Sequence, residues 1–95
     1  MLFTLAKSPQ QCDLAALIRL IGESDALLLM QDGVIAALEN SVAQSHISSL
    51  TCPVYVLLDD LEARGLIGQI SHKLTPIGYT GFVDLTEKHR QHIAW

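Results

Sequence analysis

The side chains that could do chemistry in this chain are two cysteines, a trio of aspartates and a spaced pair of histidines. Cys12 is expected in the first turn of the first helix, where the dipole and unpaired N–H groups lower a thiol pKa. A thiolate so placed is a candidate carrier of persulfide sulfur. Asp13 beside it opposes ionisation, and small apolar cysteines usually just pack. Cys52 precedes Pro53 at the mouth of an apolar run, which favours packing there too. Asp32, Asp59 and Asp60 follow apolar runs, and ligands of open α/β sheets lie beyond the carboxyl ends of the strands. Such a trio could hold Mg²⁺ for phosphoryl transfer or nucleotide handling. The simpler reading makes Asp32 and Asp59 helix N-caps, each contributing about 1 kcal/mol. His89 and His92 stand at i, i+3 and could share a metal, but no third ligand follows at a recognisable spacing. Lys88-His89-Arg90-Gln91-His92 reads more simply as a cationic helix end. The six glycines are scattered and form no phosphate-binding loop, so no cofactor is implied.

The elements that must position these residues are legible as alternating apolar runs and helical signals. Leu2 to Ala6, Ala26 to Met30 and Val54 to Leu58 are continuous apolar runs, the mark of parallel strands covered on both faces. Leu74 to Ile77 is a fourth strand, with Pro76 placing it near an edge. Ile93-Ala94-Trp95 is either a fifth strand or an apolar tail. Ser8-Pro9 caps a helix whose Leu14, Leu17, Ile18 and Ile21 share a face, with Gly22 as a left-handed stop. Asp32 caps a second helix carrying Val34, Ile35 and Leu38. The polar, weakly patterned stretch Asn40 to Ser49 reads as a loop plus one short helix around Val42 to Ile47. Asp59 and Glu62 cap another, which Gly65 ends, and Thr80 caps the last, with Phe82, Leu85, Thr86 and His89 on one face. Five strands, four longer helices and that short segment account for the length. The pattern predicts a single α/β domain over residues 1–95, a doubly wound, mostly parallel sheet with helices on both faces.

Composition narrows the function. Ninety-five residues carry 49% apolar and 17% charged side chains, with mean hydropathy +0.33. A domain this small buries only about 60–65% of its unfolded surface, so the apolar surplus points to partner subunits. Net charge is −4, which argues against direct nucleic-acid binding through phosphate neutralisation. The apolar runs are far shorter than the ~18 residues of a membrane span. No signal peptide is recognisable at the start, and two cysteines make no disulfide framework, so a reducing, cytoplasmic setting is expected.

The order and spacing of L-F-T-L-A-K-S-P, L-L-L-M-Q-D-G-V at 27–34, V-Y-V-L-L-D-D-L-E-A-R-G-L at 54–66, G-Q-I-S at 68–71 and Y-T-G-F-V-D-L-T-E-K-H at 79–89 resemble the DsrH-like family. The resemblance spans the whole chain. It implies a small α/β subunit of a heterohexamer, a dimer of heterotrimers, with TusC-like and TusD-like sister subunits. Such a complex receives persulfide sulfur from a TusA-like donor and passes it to a TusE-like acceptor, for 2-thiolation of the tRNA wobble uridine. The transferring cysteine belongs to the TusD-like subunit, which implies a non-catalytic, structural and allosteric role for this chain. Some relatives carry an early cysteine, for which Cys12 is the nearest candidate here. Ile93 and Trp95 remain open between closing this domain's own sheet and meeting a partner, since tryptophan is a common interface anchor.

Overall fold

The structure is a computed structural model that describes residues 1–95. Its strands are β1 (Leu2–Leu5), β2 (Ala26–Leu29), β3 (Val54–Leu57), β4 (Thr75–Ile77) and β5 (His92–Ala94). They form one sheet in the order β4-β3-β2-β1-β5, and every pairing is parallel. The continuous apolar runs are therefore strands, and β2 is buried at all four positions. Ile93-Ala94 forms part of a real fifth strand, with Ile93 opposite Phe3. Pro76 sits in edge strand β4, where a missing N–H is tolerated.

Strand order dictates where the helices go. The chain steps one way from β1 to β4, and right-handed crossovers then place every connection on one face. Those connections include α1 (Leu14–Leu20), a 3-10 helix over Gln31–Ala37, α2 (Val42–Ile47) and α3 (Leu58–Ala63). Their Leu14, Leu17, Val34, Ile47 and Leu61 join Phe3, Leu5, Leu27, Leu29, Val54 and Val56 in one large core. The return from β4 to β5 reverses direction, so α4 (Tyr79–Lys88) crosses the opposite face. There Leu85 meets Leu2, Ala26 and Leu28 in a smaller core, with Phe82 packed against it. Helices cover both faces, one thickly and one thinly.

Several local expectations are corrected. The first helix is split: Ser8 caps only a 3-10 turn over Pro9–Gln11, and Asp13 caps α1 by accepting from the Ala16 N–H at 3.0 Å. Gly22 is not left-handed; Ile21 ends α1, and the Gly22 N–H donates to Asp25 Oδ2 at 2.7 Å. Asp32, Asp59 and Thr80 do not cap, because Met30, Leu57 and Gly78 hold those positions without side-chain bonds. Gly65 does adopt φ +66° after α3, as a helix stop requires.

Candidate functional site at the carboxyl edge of the sheet

Four of the strands run into connections at the carboxyl edge, and the chemistry-bearing residues of the sequence collect there from three of them. After β1, the 3-10 turn closes on Cys12 in extended backbone, φ −142° and ψ 164°. Cys12 thus lies outside any helix, one residue before the cap of α1, and the expected helix-dipole activation is absent. Its side chain is half-buried against the large core. Burial pushes the thiol above its ordinary pKa; Lys7 pulls it down and Asp13 pushes it up. Burial and the loss of a helix terminus both disfavour the thiolate at Cys12.

After β2, the chain turns through Gln31 in the left-handed region, φ 50°. The Gln31 N–H donates to Asp60 Oδ2 at 2.6 Å, tying this turn to the exit of β3. Asp32 lies in the first turn of the 3-10 helix, and Arg64 Nη2 stands 3.0 Å from its Oδ1. Arg64 Nη1 also donates to the Asp60 carbonyl at 3.1 Å and lies 3.8 Å from its carboxylate. The aspartate trio therefore does not converge. Asp32 and Asp60 share a guanidinium, whereas Asp59 is exposed. No cluster of three or more His, Cys, Asp and Glu has the disposition of a metal site. Sequence reasoning missed Arg64, whose only local signal is its i, i+4 spacing from Asp60.

Beside this edge an apolar groove of about 440 Å³ opens between Pro9, the start of α1, the 3-10 helix and α2. Leu14, Ile35, Leu38 and Val42 line it, with Ser41 and His46 on its polar side. Val42 is 76% exposed and Ile35 37%, an exposure that the alternation of helix faces did not announce.

The remaining candidates lie elsewhere. Cys52 is buried near the amino edge, where β3 begins, and burial pushes its thiol up as well. Both cysteines are free. His92 Nε2 lies 2.7 Å from the His89 carbonyl and 3.2 Å from that of Thr86. Carbonyls only accept, so these contacts are hydrogen bonds in the tautomer that carries its proton on Nε2, and the ring lies over the carboxyl end of α4. Ile93 and Trp95 pack against the large core, and the Trp95 N–H donates to the Thr4 carbonyl at 2.8 Å. Both help to close this domain's own sheet.

Residues 7–92 match the family described as DsrH like protein, from Lys7 at the exit of β1 into β5. The chain belongs to the DsrH-like family. Within it, the chain is 55% identical to Protein TusB of Serratia proteamaculans and 53% identical to Protein TusB of Yersinia enterocolitica, covering all of both chains in each case. Among solved structures it is similar to the ychN protein of E. coli, with TM-score 0.82 at 18% identity, covering 99% of this chain and 97% of that one. Tm0979 of Thermotoga maritima gives 0.69 at 28% identity, covering 96% and 97%. At 18% identity the first likeness speaks for the fold alone. No helix of this member is long and apolar enough to cross a membrane.

Proposed function

We propose that this chain is a non-catalytic subunit of a sulfur-relay complex that feeds 2-thiolation of the tRNA wobble uridine. The observation that carries the reading is end-to-end similarity to proteins named TusB. In this reading the chain assembles in the cytoplasm with TusC-like and TusD-like sisters, as a dimer of heterotrimers. A TusA-like donor loads the complex and a TusE-like acceptor unloads it. The site chemistry supports a structural role, because burial disfavours the thiolate at both Cys12 and Cys52. The apolar surplus and low charge of the chain support obligate partners.

Affinity purification at native expression, with mass spectrometry of the co-purifying chains, tests assembly. Measuring 2-thiouridine in tRNA from cells carrying Cys12→Ser plus Cys52→Ser tests the non-catalytic role. Co-purification of TusC-like and TusD-like chains, with thiolation largely kept, is expected. Loss of thiolation in Cys12→Ser alone, with the complex intact, would transfer the sulfur-carrying step to this subunit. Failure to recover sister chains would overturn the relay assignment itself.

A further inference from the structure

The segment from Gln31 to Asn40 is built unlike the rest of the fold. It contains a seven-residue 3-10 helix, Gln31–Ala37, whereas runs beyond about three or four residues are uncommon because their hydrogen bonds are poorly aligned. Non-glycine residues in the left-handed region stand at both ends, Gln31 at φ 50° and Asn40 at φ 66°. Such conformations persist only where surrounding contacts hold them.

The polar contacts sit at the two ends, while Val34, Ala36 and Ala37 pack into the large core between them. At the start, Gly33 lies hard against the backbone of Leu5, Asp60 accepts from the Gln31 N–H, and Arg64 pairs with Asp32. At the far end, the Glu39 N–H donates to the Gln69 carbonyl and the Ser71 N–H to the Ala37 carbonyl, both at 2.9 Å. Between them the segment buries only small side chains, Gly33, Val34, Ala36 and Ala37. The strands beneath bury Leu5, Leu27 and Leu29. Less apolar area per residue holds the segment down than holds the sheet.

We propose that Gln31–Leu38 is a strap that opens as one unit ahead of the sheet, with Arg64 as its latch. Opening removes Ile35 and Leu38 from the wall of the apolar groove and frees the carboxyl-edge turn at Gln31 in the same event. The strap thereby couples the shape of the groove to the carboxyl edge. The Asp32 side chain is 60% exposed and that of Arg64 31%, so solvent screens the latch and its removal has a modest effect.

Native-state hydrogen exchange, read by mass spectrometry on the full chain with whichever subunits accompany it, tests the proposal. Amides of residues 33–38 are expected to share one protection factor, lower than those of β1 and β2. Arg64→Gln and, separately, Asp32→Asn are expected to speed exchange of these amides together by about twofold to fivefold. Protection in β1 and β2 stays unchanged, and Asp59→Asn leaves the strap unchanged. Protection of 33–38 equal to that of the sheet overturns the strap. Unequal rates within it, or acceleration spread over the whole chain in both variants, do the same. An unchanged rate in both variants removes Arg64 as the latch.

Discussion

Gly33 lies against the carbonyl of Leu5 so closely that a Cβ built on it would overlap the carbonyl oxygen. The two residues belong to different layers: Leu5 ends β1, and Gly33 lies in the first turn of the 3-10 helix laid over the sheet. The Met30 N–H donates to that same Leu5 carbonyl at 2.9 Å, so the oxygen cannot turn away without losing a bond. The glycine is required by close approach, since its φ is not left-handed.

Gly33→Ala is accordingly expected to destabilise the protein by about 1–3 kcal/mol through overpacking. Gly68→Ala is the control, because nothing lies within 4 Å of a Cβ there and its φ is ordinary. Urea unfolding followed by circular dichroism measures both. Equal midpoints for the two variants would show that the layer shifts freely.

The pH dependence of stability follows from Asp25 and His89. The Gly22 N–H, and after it the amino group of Met1 at 3.1 Å, hold Asp25 below its ordinary pKa. Burial first, then the Met1 amino group and Lys88, hold His89 below its own. Both folded-state values are depressed, so the unfolded chain binds protons more readily and stability falls on acidification. The His89 contribution begins near pH ~6.5 and grows downward to the folded value; that of Asp25 begins near ~3.9. His89→Gln should flatten the apparent Tm through the first window and Asp25→Asn through the second. A Tm that rises between neutral pH and the His89 window would contradict the sign.

The sheet was legible because burial on both faces leaves continuous apolar runs, and β2 is the clearest case. The expected helix around Val42 to Ile47 matches α2 because Ser41 caps it locally, accepting from the Gln44 N–H at 3.0 Å. Asp32 was misread for the opposite reason. Its carboxylate goes to Arg64, 32 positions away, and such a partner is invisible to a local capping rule. Cys12 moved out of its helix because two capping signals, Ser8 and Asp13, compete within six residues and each starts its own element. The apolar groove was hidden because it forms between elements distant in sequence, and Val42 and Ile35 look like ordinary helix residues taken one at a time.

Thiol reactivity gives a direct reading of the carboxyl edge. With both pKa values raised, iodoacetamide should label the chain more slowly at neutral pH than it labels free cysteine, since the thiolate is the nucleophile. Cys12, half-buried, should react ahead of Cys52, which is 6% exposed. Lys7→Gln should slow Cys12 further by removing the one favourable charge acting on it. Labelling of Cys12 faster than free cysteine would mark an activated thiol and favour a sulfur-carrying role.

The carboxyl-terminal strand tests whether Trp95 serves this domain or a neighbour. Ile93 sits opposite Phe3 in β5, and the Trp95 N–H bonds the Thr4 carbonyl at 2.8 Å. Both side chains pack on the large core while remaining partly exposed. Burying an aromatic side chain fully is worth about 3–5 kcal/mol against alanine, and partial burial yields less. Trp95→Ala is therefore expected to cost about 1–3 kcal/mol. Removing Ile93 to Trp95 should cost more, because it also strips backbone bonds from the edge of β1. Thermal melts of each variant measure the fold, and recovery of sister chains in affinity purification measures the interface. Loss of Tm together with loss of partners places Trp95 in the sheet first. An unchanged melt with lost partners would instead assign the exposed part of the ring to the neighbouring subunit.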